Sequence, residues 1–132
     1  MKQNAHYLLI VDDNKGICAL LHELFSEEGY VVETASSGEE GLRKVRAGRP
    51  ALILLDIKMP GMNGIETLEE IGKLAPEVPV VLMTAYTELD TVLKEKKKNP
   101  KQYYIAKPFE LEDISHLVRG ILLKKEEKKN AL

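Results

Sequence analysis

The chain alternates between short apolar runs and longer segments with helical periodicity, and this alternation restricts its fold more than any other feature. Apolar residues recur at three- and four-residue spacing after each run, as in amphipathic helices. Five strand–helix units in succession favour an α/β fold, with one parallel sheet and helices on both faces. The predicted strands are Tyr7–Val11, Tyr30–Thr34, Ala51–Leu55, Val78–Met83 and Tyr103–Ala106, and the last two helices are predicted over Thr87–Asn99 and Leu111–Leu123.

Length and composition exclude several classes of protein. With 132 residues, we expect one domain over residues 1–124, followed by a polar C-terminal tail over residues 125–132. The formal net charge of -2 argues against nucleic-acid binding. A lone Cys18 is typical of a reducing compartment, and no apolar run approaches the roughly 18 residues of a membrane helix. We see no signal peptide, and we therefore predict a cytoplasmic protein with neither a membrane nor a nucleic-acid partner.

Polar residues stand at the carboxyl ends of four of the predicted strands. These are Asp12 and Asp13, Asp56, Thr84 and Lys107. Because parallel strands end at the same edge of a sheet, we expect these side chains to share one pocket, at the edge where open α/β sheets bind ligands. Asp12 and Asp13 alone could instead cap the helix that follows them.

Three carboxylates brought together need a cation, and hard oxygen ligands favour Mg²⁺. Asp56 ends the central apolar strand, where it could act as a nucleophile and form an aspartyl-phosphate. The ammonium of Lys107 and the hydroxyl of Thr84 could then stabilise the transferring phosphoryl group. The sequence has no glycine-rich phosphate loop with its lysine, so a nucleotide site of that kind is not predicted.

Four blocks of the sequence resemble the signature blocks of the response-regulator receiver domain, and the resemblance extends from Tyr7 to Leu123. The blocks are Ile10–Asn14, Leu54–Gly64, Met83–Ala85 and Ala106–Phe109. The resemblance implies a flavodoxin-like (βα)5 fold with strand order 2-1-3-4-5. It also implies that Asp56 is the phosphoryl acceptor, and that Asp12, Asp13, Asp56 and the Lys58 carbonyl bind Mg²⁺. Thr84 and Tyr104 would be the switch pair, and the Lys107–Pro108 peptide bond would be cis.

Within the family, the chain is similar to the single-domain regulators of the sporulation phosphorelay, with Phe25–Tyr30 and Thr84–Asp90 among the supporting segments. It departs from the family pattern at Lys96–Gln102, which replaces the usual Gly-Ala pair, and at Tyr104, where that subfamily often has His. The resemblance implies that a histidine kinase phosphorylates Asp56 and that a histidine phosphotransferase or another protein target receives the signal.

Three other functions are possible. The first is a chemotaxis-like regulator that docks on a target when phosphorylated. The second is a phosphatase that turns over an aspartyl-phosphate, but such enzymes need an acid where this chain has Lys58. The third is an unphosphorylated scaffold, which the intact acidic set argues against. We therefore expect a phosphoacceptor signalling domain that assists its own phosphorylation and dephosphorylation but is not an enzyme.

A phosphohistidine donor must touch the rim of the pocket to reach Asp56. The predicted partner surface consists of Gly16, Ile17, Leu20, Lys58, Tyr86, Pro108 and Phe109. We expect Ile17 to be substantially exposed and to act as the apolar anchor of docking. Lys58 and Tyr86 are expected to cover the phosphoryl group and to slow its hydrolysis.

Overall fold

The computed structural model describes residues 6–59, 61–85, 87, 94 and 102–130. Its elements are β1 (Tyr7–Val11), α1 (Lys15–Glu27), β2 (Val31–Ala35), α2 (Gly38–Ala47), β3 (Leu52–Asp56), α3 (Gly64–Leu74), β4 (Val80–Thr84), β5 (Gln102–Ala106) and α4 (Leu111–Asn130). The predicted helix Thr87–Asn99 falls almost entirely outside the described residues.

The five strands form one parallel sheet in the order β2-β1-β3-β4-β5, as predicted. β3 therefore lies at the centre, and its four apolar residues, Leu52–Leu55, are fully buried. The exposure of β2 alternates along the strand, as expected at the edge of a sheet. The central place of β3 puts its last residue, Asp56, between the ends of β1 and β4.

The sheet has a separate apolar core on each face, because successive side chains of a strand point to opposite sides. Leu9 and Ile53 contribute to the core beneath α2 and α3. Leu8 and Leu52 contribute to the core beneath α1 and α4, where Phe25 and Val118 also pack. The prediction of helices on both faces is thus confirmed. No helix in the described part of the chain has the length and apolar character needed to cross a membrane.

Each of the first three helices follows a strand of the sheet, and a polar side chain caps its start. Asn14 accepts a hydrogen bond from the Ile17 N–H at 3.0 Å at the start of α1, and Ser37 caps α2 in the same way. Asn63 and Glu66 form a reciprocal capping box at the start of α3. Because Asn14 caps α1, Asp12 and Asp13 are not its cap, and that alternative interpretation is wrong.

The last helix extends beyond its predicted end at Leu123 and reaches Asn130, so the predicted polar tail begins inside it. Two side chains anchor this extension to the amino-terminal edge of the sheet. Lys125 donates a hydrogen bond to the Ala51 carbonyl at 3.1 Å, and a Glu126 carboxylate oxygen lies 2.8 Å from His6 Nε2. These contacts stabilise the helical conformation of a segment whose polar composition is typical of a solvated tail.

Candidate functional site

Three carboxylates meet at the carboxyl edge of the sheet. Asp12 and Asp13 directly follow β1, and Asp56 ends β3, which pairs with β1 so that Val11 lies beside Leu55. One carboxylate oxygen from each of the three residues lies within 4.8 Å of the others. Asp12 is 1% exposed and Asp56 6% exposed, whereas Asp13 is open to solvent. The predicted convergence of the three acids is therefore correct.

Lys107 reaches this acidic cluster from the end of β5. Its ammonium lies 3.0 Å from Asp12 Oδ2 and 3.3 Å from Asp56 Oδ1, so it bridges the two buried carboxylates. Its backbone N–H donates to the Thr84 carbonyl at 2.7 Å. The Lys107–Pro108 bond is cis, as predicted.

Thr84 ends β4 beside the cluster, since the neighbouring Met83 pairs with Asp56. Its side chain is buried, and its hydroxyl donates to the Ala85 carbonyl at 3.0 Å. Tyr104 pairs with Leu82, two residues before Thr84, so the predicted switch residues share one face of adjacent strands. Tyr104 is partly exposed, whereas Tyr103 packs against the core on the opposite face.

The charges in the cluster are not balanced. Burial, and then the charge of Asp12, raise the pKa of Asp56 from 3.8 to about 6, although Lys107 opposes the shift. Burial alone would lower the pKa of Lys107, but its hydrogen bond to Asp12 and the charge of Asp56 raise it overall. Three carboxylates and one ammonium leave an excess of negative charge that a further cation can neutralise. The ligand atoms are all oxygens, as Mg²⁺ prefers.

Two main-chain N–H groups and one thiol contact the acidic residues. The Asn14 N–H donates to Asp12 Oδ1 at 2.9 Å, so both oxygens of Asp12 have a donor. The Lys58 N–H lies 3.4 Å from Asp56 Oδ1, while the Lys58 side chain is exposed. The Cys18 thiol donates to the Asp12 carbonyl at 3.1 Å. Sequence reasoning missed the roles of Asn14 and Cys18; an Asn directly before a helical pattern was the available signal for the first.

The predicted partner surface is only partly as expected. Gly16, Lys58 and Pro108 are exposed. Leu20 is 47% exposed, and Phe109 is half-buried. Tyr86 lies outside the described residues.

The prediction that Ile17 is substantially exposed is wrong. Its side chain is half-buried and packs against the core that contains Leu21 and Phe25. Residues 17, 21 and 25 are four apart, so they lie on the face of α1 that is turned toward the sheet. Leu20 is the large apolar side chain of this helix that is exposed to solvent.

The sequence profile of the Response regulator receiver domain family matches residues 8–119. The chain belongs to this family. The parallel sheet and the acids at its carboxyl edge are therefore features of a receiver domain.

The relatives of this receiver domain include a protein of similar length and a much longer one. The chain is 43% identical to sporulation initiation phosphotransferase F of Bacillus subtilis over 115 residues, which are 87% of this chain and 92% of that protein. It is 40% identical to the transcriptional regulatory protein ZraR of Klebsiella oxytoca over 81% of this chain but only 24% of that protein. The receiver domain is therefore similar to nearly all of the first relative and to about a quarter of the second.

A solved structure shows the same architecture. The CheY-like response regulator receiver domain protein from Methanospirillum hungatei superposes with a TM-score of 0.87 at 32% identity, covering 95% of this chain and 99% of that one. The family and this likeness together establish that the chain is a response regulator of the two-component and phosphorelay type.

Proposed function

We propose that this receiver domain accepts a phosphoryl group on Asp56 from the phosphohistidine of a histidine kinase, and that it needs Mg²⁺ to do so. The main support is the position of Asp56 among Asp12, Asp13 and the Lys107 ammonium. The Asp12, Asp13 and Asp56 carboxylates would hold the metal, and the family resemblance adds the Lys58 carbonyl as a ligand. Bound Mg²⁺ would offset the charge of the carboxylates and of the phosphoryl oxygens.

The transfer itself needs little covalent chemistry from the protein. An Asp56 carboxylate oxygen attacks phosphorus, and the bond between phosphorus and the donor's imidazole nitrogen breaks. That nitrogen leaves with the electron pair of the broken bond and takes up one proton. Lys107 can remain close to Asp56 and pair with a phosphoryl oxygen. The Thr84 hydroxyl needs only to rotate from the Ala85 carbonyl toward the same group.

Labelling by a small phosphodonor tests this proposal. After incubation with acetyl phosphate and Mg²⁺, intact-mass spectra should show one added phosphoryl group, and EDTA should prevent it. Asp56→Asn should abolish the label. Glu70→Gln should not, because the described partner of Glu70 is Lys73 on the same helix, and Glu70 is not part of the acidic cluster. Undiminished labelling of Asp56→Asn would refute the assignment.

The destination of the phosphoryl group is the second part of the proposal. Similarity to a sporulation phosphotransferase along 92% of its length supports onward transfer to a histidine phosphotransferase. A chemotaxis-like regulator would instead bind its target while it stays phosphorylated. Mixing the labelled protein with purified histidine phosphotransferases separates the two functions, since only onward transfer moves the label to the second protein.

We propose that donor and acceptor proteins contact the rim that includes Gly16, Leu20, Lys58 and Pro108, with Leu20 in place of Ile17 as the apolar anchor. The exposure of these residues beside the acidic cluster supports this surface. The exposed Lys58 side chain also agrees with the predicted shielding of the phosphoryl group. The part of Tyr86 in that shielding stays a prediction, as do the cytoplasmic location and the lack of nucleic-acid and membrane partners.

A further inference from the structure

Helix α3 begins in direct contact with the backbone that follows Asp56. Gly64, its first residue, donates its N–H to the Ile57 carbonyl at 2.8 Å. A Cβ atom at Gly64 would overlap the Asp56 carbonyl oxygen, and it would lie 2.5 Å from Ile57 Cα and 2.7 Å from Ile57 O. All three are backbone atoms, so no side-chain rotation could make room for a methyl group.

The start of α3 is also fixed within itself. The Glu66 N–H donates to Asn63 Oδ1 at 2.9 Å, and the Asn63 N–H donates to Glu66 Oε1 at 3.1 Å. The fully buried Thr67 donates its hydroxyl to the Asn63 carbonyl at 2.9 Å. This first turn is therefore a rigid unit with one surface against the end of β3.

The start of α2 closes the other side of this unit. Gly38 lies so close to Thr67 that a Cβ atom there would overlap the Thr67 hydroxyl, and it would lie 3.3 Å from the Met62 carbonyl oxygen. The first turn of α3 is thus held between α2 and the Asp56–Ile57 backbone. A methyl group at Gly64 could be accommodated only if the helix and that backbone moved apart.

We propose that Gly64 is a positioning residue for the phosphoryl-acceptor site. Its contact fixes the main chain of Asp56 and Ile57, and with it the next peptide unit, whose Lys58 N–H faces Asp56 Oδ1 at 3.4 Å. The same stretch determines where the Asp56 carboxylate lies relative to Asp12 and Lys107. This inference rests on the proposed function, because it assigns Gly64 to the geometry of that site.

The chain offers a matched control on the same helix. A Cβ atom at Gly72 would meet no heavy atom of the described chain within 4 Å outside the adjoining backbone of its own helix. Both Gly64→Ala and Gly72→Ala add one methyl group to α3, but only the first displaces the backbone next to Asp56. The two variants therefore separate an effect on the site from a general effect of alanine in the helix.

The experiment measures Mg²⁺ affinity by NMR titration, and the rate of labelling by acetyl phosphate at saturating Mg²⁺, for wild type and both variants. We expect Gly64→Ala to weaken Mg²⁺ binding by about tenfold and to slow labelling by about tenfold or more, as for other changes that reorient metal ligands and reacting groups. Gly72→Ala should stay within about twofold of wild type in both measurements, as expected for a surface substitution. A folded Gly64→Ala with wild-type Mg²⁺ affinity and labelling rate would overturn the inference.

A second variant decides the matter if Gly64→Ala does not fold. Asn63→Ala removes the cap that holds the first turn of α3 without inserting an atom between the helix and Asp56. A loss of Mg²⁺ affinity of about threefold or more would support positioning through this turn, and an unchanged affinity would refute it. If wild type and Gly72→Ala were not labelled at Asp56, the proposed function would fail, whereas the comparison of Mg²⁺ affinities would still test Gly64.

Discussion

At the scale of single residues, the negative charge of Asp56 destabilises the folded state, because the carboxyl group is buried. Its pKa is raised from 3.8 to about 6, chiefly by burial. The folded protein then holds a proton on Asp56 at pH values where the unfolded chain has lost it. The contribution of Asp56 to stability is therefore full below about pH 4 and is lost as the pH rises through about 6.

Asp56→Asn should consequently stabilise the metal-free protein at neutral pH. We expect the free energy of unfolding to rise by about 1–3 kcal/mol at pH 7.5, because the variant has no buried charge to ionise. The gain should shrink toward zero near pH 4, where wild-type Asp56 is protonated in the folded state. Urea unfolding in EDTA at both pH values tests this, with Glu70→Gln as a surface control. A variant less stable than wild type at pH 7.5 would contradict the explanation.

Lys107 has two effects that a single substitution should separate. Its ammonium bridges Asp12 and Asp56 at 3.0 and 3.3 Å, so it competes with Mg²⁺ for the same charges. We expect Lys107→Met to bind Mg²⁺ roughly tenfold more tightly at low salt, since one positive charge is removed from the site. Labelling by acetyl phosphate should nevertheless slow by about 10²-fold, because a donor to the phosphoryl group is lost.

NMR titration with Mg²⁺ and labelling kinetics, each compared with Lys73→Met, measure these two effects of Lys107→Met. Lys73 is an exposed lysine paired with Glu70, so its replacement should change neither quantity. Weaker Mg²⁺ binding by Lys107→Met would show that the ammonium assists the metal instead of competing with it.

The residues that the sequence predicted correctly are those whose positions follow from the strands. Asp12, Asp56 and Lys107 each stand at the end of an apolar run, and a parallel sheet must bring such ends together. The exposure of Ile17 was predicted wrongly because it depends on how α1 is rotated about its own axis. Adjacent helical residues are about 100° apart around that axis, so a shift of one position can turn an exposed side chain toward the core. The sequence gives Gly64 no role beyond its place at the end of the Leu54–Gly64 block, since a close approach between two backbone segments leaves no periodic pattern.

At the scale of elements, the helix that follows the acidic cluster, α1, exposes a large apolar side chain to solvent. Leu20 is 47% exposed, and the helix starts three residues after Asp12. We expect Leu20→Ala to slow phosphotransfer from a cognate kinase by about fivefold, because burying the exposed half of a leucine side chain on docking is worth about 1 kcal/mol. Labelling by acetyl phosphate should not change, since Leu20 does not line the acidic cluster.

Leu123→Ala is the matched control for Leu20→Ala. Leu123 is 52% exposed but lies on α4, twelve residues beyond the start of that helix and thus about 18 Å along its axis. It should leave both reactions near wild type. A slower reaction with both donors in Leu20→Ala would instead indicate that the side chain supports the fold.

At the scale of the whole molecule, the acidic cluster and the contacts of the α4 extension lie at opposite ends of the strands. The carboxyl edge holds the acids, Lys107 and the proposed docking surface. The amino-terminal edge holds the contacts of the α4 extension, in which Lys125 reaches Ala51 and Glu126 reaches His6. These residues lie next to the first residues of β3 and β1, at the far end of both strands from the acids. Contacts at this edge can therefore stabilise the fold without contributing to the site.

Replacing both anchors tests this separation. Lys125→Ala/Glu126→Ala removes the hydrogen bond to Ala51 and the contact with His6 while it keeps good helix formers, so we expect a loss of about 1–2 kcal/mol in the free energy of unfolding. Mg²⁺ affinity and labelling by acetyl phosphate should stay at wild-type values, because the strands β1 and β3 keep their register. Glu127→Ala/Lys128→Ala, which replaces the next two residues, both exposed, is the control and should cost much less. A parallel loss of Mg²⁺ affinity in the first variant would show instead that the α4 extension holds the sheet in the arrangement that brings Asp12 and Asp56 together.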